Sequence, residues 1–207
     1  MNLVEPGSPA ESLIGRAKSL ILRPVETWGV IDREPATVDG LYRSWAVPLA
    51  AVPAVCRAAS DLMFGGIHLF GVRYQPSLAG TLGRAAVGYG LSLLSIYALA
   101  LVVEALALPF GGVRSRTQAL KLTAYSATAA WAAGVFLLLP QVGGLLAAFG
   151  GLYSLYLLYL GLPILMRSAP ERTLTYFVAI LCAAILIGVL AAGLTSCVAE
   201  LGGPISL

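Results

Sequence analysis

The sequence predicts an all-α, polytopic membrane protein: a bundle of five transmembrane helices with an N-terminal cytosolic amphipathic region. Three observations lead there. First, 58% of the 207 residues are hydrophobic and only 11% are charged, against about 45–50% and 25% in soluble domains. So few charges cannot cover a water-facing surface, and mean hydropathy is +0.86. Second, the charges leave long gaps, including residues 122–166, a run of 45 without one. Third, the basic residues gather in alternate connections, as the positive-inside rule requires of a threaded chain. Disorder is excluded by the apolar content.

The elements follow in chain order. Residues 1–10 are polar and Pro-rich and read as a disordered tail. They do not read as a cleavable signal, which needs a basic start and then an apolar run. Residues 11–22 (ESLIGRAKSLIL) place Leu13, Ile14, Ala17, Leu20 and Ile21 on one helical face. That helix is expected to lie on a membrane surface or to dock on the bundle. Pro24 ends it and opens a second short helix, 24–33, where Trp28 is a candidate interface anchor. Residues 1–42 together form the expected cytosolic tail.

Pro35 breaks the chain, and Thr37 or Asp39 can cap the next helix. The first span is expected at about 43–64. It contains Pro48, Pro53, Arg57 and Asp61, and an irregular segment, GGIHLFGVRYQPS, follows it. The second span covers about 83–107, with Glu104 at its far end and LPFGG (108–112) breaking it. The uncharged run 122–166 suits two helices of about 20 residues. PQVGG (140–144) supplies the turn, giving spans at about 119–139 and 144–165. RSAPER (167–172) ends the fourth, the fifth is expected at 173–199, and residues 200–207 make a short outside tail.

Charge fixes the expected orientation. With the N-terminus inside, Arg16, Lys18, Arg23, Arg33, Arg43, Arg114, Arg116, Lys121, Arg167 and Arg172 all fall inside. Arg73 and Arg84 fall outside and Arg57 lies within a span. That asymmetry predicts a cytoplasmic N-terminus, five crossings and a periplasmic C-terminus.

Several function classes drop out. A net charge of +3 with no basic run is too weak for nucleic-acid binding. Cys56, Cys182 and Cys197 are odd in number, form no CxxC and lie in or near apolar segments, so they read as small hydrophobes. The single histidine, His68, has no ligand or nucleophile spacing around it. No cofactor, metal or catalytic residue is expected.

A few residues remain as candidates. Arg57 and Asp61 are four apart and share a helix face. With Glu104 they make a candidate polar intramembrane site, or else an ion pair that locks the first span in place and an interfacial carboxylate facing Arg114 or Arg116. Tyr153, Tyr156 and Tyr159 recur every three residues and predict interhelical hydrogen bonds, with pore lining as the alternative. Ala184, Gly188, Ala192 and Ser196 form a small-residue ridge. It predicts close packing within the bundle, with a homo-oligomer face as the alternative.

The block from Leu108 to Thr175 resembles the bacterial branch of the Yip family, membrane proteins named for interaction with Ypt/Rab GTPases. The likeness is carried by LPFGG (108–112), KLTAYSATAAW (121–131), LLLPQVGGLL (137–146) and YSLYLLYLGLPILMRSAPERTLTY (153–176). RPVETWGVIDRE (23–34) and VPLAAVPAVC (47–56) match its usual opening, so the likeness covers roughly 20–195. The resemblance implies five spans, a cytosolic N-terminus and no enzymatic activity. The aspartate-leucine-tyrosine-glycine-proline signature of the eukaryotic branch is not recognisable in this chain, and the vesicle-traffic role of that branch is not implied.

Heavy Ala, Gly and Arg usage points to a GC-rich bacterial genome, hence to the cytoplasmic (inner) membrane. The expected function is a non-enzymatic scaffold that works with the lipid bilayer and a protein partner at the cytosolic N-terminus. A small transporter or channel using Arg57, Asp61 and Glu104 is the alternative.

Overall fold

A computed structural model of the chain describes residues 9–64, 68–69, 72–73 and 77–200. The expected disordered start lies outside them up to residue 8, as do most of the segment 65–77, the side chains of His68 and Arg73, and the tail after residue 200.

The described residues are helical apart from one small hairpin. Helices α1 (Pro9–Leu22) and α2 (Pro24–Arg33) meet at Arg23, with Pro24 in the first turn of α2. There its missing N–H costs nothing. The Thr37 hydroxyl accepts from Gly40 N at 3.1 Å and starts α3 (Val38–Leu41). The helix continues through a π-turn, Tyr42–Ala46, into α4 (Val47–Phe64). Strands β1 (His68–Leu69) and β2 (Val72–Arg73) pair antiparallel. The Ser77 hydroxyl caps α5 (Leu78–Ala107) at Gly80 N, 3.0 Å away. Then come α6 (Arg116–Ser126), α7 (Thr128–Ala133), a 3-10 turn (Gly134–Leu138), α8 (Gly143–Leu165) and α9 (Pro170–Glu200).

Among the described residues, four stretches are long and apolar enough to cross a membrane: Val38–Phe64, Leu78–Ala107, Gly143–Leu165 and Pro170–Cys197. The expected third span, 119–139, is not among them. It is broken into α6, α7 and the 3-10 turn, and the reason is its position. Every residue from Ala119 to Ser126 is buried, with α5, α8 and α3 packed around α6. A segment walled off by protein can carry polar groups and irregular backbone that lipid would not tolerate. Side chains satisfy the backbone at the break: Ala130 N donates to Ser154 Oγ at 2.9 Å. The Trp45 indole N–H donates to Thr128 Oγ1 at 3.1 Å.

The broken segment runs antiparallel to α8. Leu122 meets Gly161, Ala130 bonds Ser154, Ala133 meets Gly150 and Phe136 meets Gly143. Residues 116–138 therefore run alongside most of α8, which at 23 residues is about 35 Å long.

The bundle has two polar ends. At one, the connection after α5 meets the connection between α8 and α9: Val113 N donates to Met166 O at 2.7 Å, and Arg172 Nη1 donates to Pro109 O at 3.2 Å. Phe110 stacks on Tyr176 with ring centres 5.1 Å apart. The end of α2 joins them, with Arg167 Nη2 3.8 Å from Asp32 Oδ2. The other end holds the close of α4 and the start of α5. Helix α9 lies outermost, packed on α5 and α8, and turns Ile185, Leu186, Val189 and Leu190 outward.

The N-terminal helices are part of this body. Leu20, Trp28 and Ile31 are fully buried, so α1 and α2 dock on the bundle and Trp28 is a core residue, not an interface anchor. Its indole lies against Gly161, where an added Cβ would stand 2.7 Å from Trp28 Cε2 and from Leu122 Cδ1. Leu13 and Ala17 of the expected stripe also face the core, while Ile14 faces out.

Candidate functional site

The three charged residues singled out in the sequence do not form one site. Asp61, in the last turn of α4, is buried and held between two arginines. Arg84 Nη2 of α5 is 2.5 Å from its Oδ2, and Arg57 Nε is 3.5 Å from Oδ1. Glu104 lies twenty residues beyond Arg84 on the same helix, about 30 Å away at 1.5 Å per residue. There it takes Arg116 Nε at 2.9 Å and Arg114 Nε at 3.5 Å. Each carboxylate thus sits at one end of the bundle, fully engaged by two arginines. Arg84 lies in α5 and reaches across to Asp61 of α4, a pairing that the sequence reading did not contain.

The tyrosine series splits. The Tyr153 hydroxyl donates to Ile21 O of α1 at 2.6 Å, which ties the N-terminal helix to α8. The Tyr156 ring is tilted against that of Tyr153 with centres 5.5 Å apart, Tyr159 meets Phe177 edge-on at 5.3 Å, and both Tyr156 and Tyr159 are exposed on the outer surface of the bundle. Gly188 has open space around it. Close approach is found instead at glycines such as Gly134 against Pro53, Gly150 against Ala133 and Gly161 against Trp28.

Sequence reasoning missed Lys121. It reads as a loop charge, yet its side chain is buried in α6. Its ammonium donates to Ile31 O at 2.8 Å and to Glu34 O at 2.5 Å. These are carbonyls at the C-terminal end of α2, where a cation is favoured by the helix dipole and by unpaired acceptors. Gln118 Nε2 donates to Asp32 Oδ1 at 2.9 Å beside it. Arg16 reaches from α1 to Glu34 through two hydrogen bonds, one of them 2.7 Å. This pairing holds the Arg16 guanidinium above its usual pKa. No signal within α6 marks Lys121, because its partners lie about ninety residues earlier.

These groups border a groove of about 840 Å³ between α1, the α2–α3 connection and the π-turn. Leu13, Ile31, Leu41, Trp45 and Tyr125 form its apolar wall, and Arg16, Glu34, Arg43 and Lys121 supply its charges. None of Arg57, Asp61 or Glu104 lines it. Among the described residues no group of three His, Cys, Asp or Glu side chains is placed to hold a metal ion, and the three cysteines are free.

The segments that build this end, from α1 through α9, match the family model of the Yip1 domain over residues 18–192. The chain belongs to the Yip1 family. It is a multi-pass membrane protein of that family, and the match spans the docked N-terminal helices as well as the apolar ones. Two curated relatives are the proteins called Inner membrane protein YohC in Escherichia coli strains K12 and O6:H1. Each is 26% identical over 159 residues, covering 76% of this chain and 82% of the relative. No solved structure matches this Yip1-family chain.

Proposed function

We propose that this chain is a non-enzymatic protein of the inner membrane that crosses it five times and organises partners at its cytoplasmic face. The observation that carries the proposal is the two-sided character of α1 and α2. One side is locked into the bundle by Leu20, Trp28 and Ile31. The other turns Ile14, Leu22, Val25 and Val30 outward, between 54% and 69% exposed, among Lys18, Arg23 and Arg33. An apolar strip edged with basic residues suits contact with a partner or an anionic surface.

The inner-membrane assignment draws on the E. coli relatives. The five crossings draw on the antiparallel register of residues 116–138 with α8 and on the protein wall around α6. The N-in orientation draws on the basic residues at the end of the bundle where α2, α5, α8 and α9 meet, and it leaves the C-terminus in the periplasm. The non-enzymatic reading draws on Asp61 and Glu104, each occupied by two arginines. A transport path through Arg57, Asp61 and Glu104 draws no support from carboxylates at opposite ends of the bundle.

The test is site-specific photocrosslinking in cells at Val25 and Val30, with Leu190 on the lipid face of α9 as control. Specific protein adducts at the two valines, lost with Ile14→Ser combined with Leu22→Ser, are expected. Lipid adducts alone at all three positions overturn the scaffold reading. Deleting residues 1–40 is not a clean test, because it removes Leu20, Trp28 and Ile31 from the core.

A further inference from the structure

The groove beside Lys121 has three properties that together describe a ligand. The first is charge. Arg16 is matched by Glu34, and Arg43 Nε is paired at 3.0 Å with Asp39 on the exposed rim. Lys121 is different: among the described residues its ammonium hydrogen-bonds two carbonyl oxygens, and the carboxylates of Asp32 and Glu34 act on it only through space. An ammonium has three N–H donors, so one remains for a group in the groove. The groove lining carries Arg16, Arg43 and Lys121 against the one carboxylate of Glu34, an excess of positive charge that favours an anion.

The second property is shape. The volume of about 840 Å³ lies within the roughly 300–1,000 Å³ of small-molecule sites. One wall is apolar, through Leu41, Trp45 and Tyr125, and the mouth carries Arg43 and Ser44. That is an amphiphile's pattern: a charged end and a greasy flank.

The third property is depth. The helix Val38–Phe64 has 27 residues and is about 40 Å long, more than the hydrocarbon core of about 30 Å. Its first turns line the groove, and the excess length leaves room for them at headgroup level. They are also the place where the helix widens into a π-turn, with Val47 N bonded to Tyr42 O. Such turns are frequent at functional sites.

We propose that this groove seats one anionic phospholipid, its phosphate against Lys121 and Arg43 and its chain along the wall of Leu41 and Trp45.

The full chain, purified in a mild detergent, is titrated with phosphatidylglycerol, phosphatidylcholine and sn-glycerol 3-phosphate, and bound ligand is counted by native mass spectrometry. One phosphatidylglycerol per chain is expected to bind about tenfold more tightly than phosphatidylcholine, about what one hydrogen bond to a charged group supplies. Glycerol phosphate is expected to bind far more weakly than the whole lipid. Lys121→Met should abolish the preference. Two further variants keep the test open if that one misfolds: Ala36→Trp, which fills the groove without removing a charge, and Arg43→Gln at the exposed rim. Each should reduce the preference at an unchanged melting temperature. Arg23→Gln, equally basic but outside the groove, should leave it intact. Equal retention of the two lipids, a preference that survives Ala36→Trp, or an equal loss with Arg23→Gln overturns the proposal. Glycerol phosphate bound as tightly as the lipid overturns the lipid as occupant.

Discussion

Gly161 of α8 lies so close to the Trp28 indole of α2 that an added Cβ would stand 2.7 Å from Cε2. This contact joins the N-terminal helices to the membrane bundle, with Leu122 of the broken segment pressed against the same glycine. Close backbone approach at small residues is how helices associate where lipid removes the hydrophobic drive. Gly161→Ala is expected to lower the melting temperature, and Gly188→Ala, with nothing within 4 Å, is expected to leave it unchanged or raise it. Helix propensity favours both changes equally, so the difference isolates overpacking at about 1–3 kcal/mol. Thermal unfolding of the two variants in one detergent checks this. Equal shifts would remove Gly161 from its structural role.

Some of this was legible in the sequence and some was not. Uncharged runs of about 20 residues are enough to mark a lipid-facing helix, and Leu78–Ala107, Gly143–Leu165 and Pro170–Cys197 follow from them, whereas Val38–Phe64 carries charges near both ends and follows from its hydropathy. The break at Ala127 is invisible to that rule. It depends on Ser154 accepting from Ala130 N and on Thr128 accepting from Trp45, and these are contacts between distant elements. Lys121 and Trp28 were misread for the same reason. A lysine beside a loop looks solvated and a tryptophan on a short amphipathic helix looks interfacial, until α2 folds back and buries both. The Arg57–Asp61 spacing was legible as an ion pair. Its second arginine, Arg84, was not, because it comes from another helix.

Asp61 is the hub of the pair of arginines at the far end. Asp61→Asn leaves Arg84, which is three-quarters buried, without its carboxylate. It is expected to destabilise the chain by about 1.5–3 kcal/mol, the range for hydrogen bonds to charged groups. Arg84→Gln should cost a similar amount, and the double variant less than the sum, because the two residues share one interaction. A double-mutant cycle read by thermal unfolding checks it. Strict additivity would break the pairing. Liposomes carrying the wild-type chain are expected to show no solute flux that Asp61→Asn abolishes.

Lys121 fastens α2 to α6. Replacing it with methionine leaves the Ile31 and Glu34 carbonyls without their donor, at a cost of about 1–3 kcal/mol. The expected consequence is local opening of α2 before the bundle unfolds. Limited trypsin digestion reads it directly: cleavage after Arg33, which is exposed, should speed up in Lys121→Met while the remainder of the chain stays resistant. Unchanged cleavage would mean that Trp28 and Ile31 hold α2 without help.

The central claim is that the broken, protein-walled segment 116–138 completes a crossing, which makes five. Alkaline phosphatase fusions at Ser168 and Leu207 test it in one experiment, since the enzyme is active only outside the cytoplasm. Five crossings from a cytoplasmic N-terminus predict a silent fusion at Ser168 and an active one at Leu207. If residues 116–138 return to the side they came from, both readings reverse: an active fusion at Ser168 with a silent one at Leu207 would contradict the account.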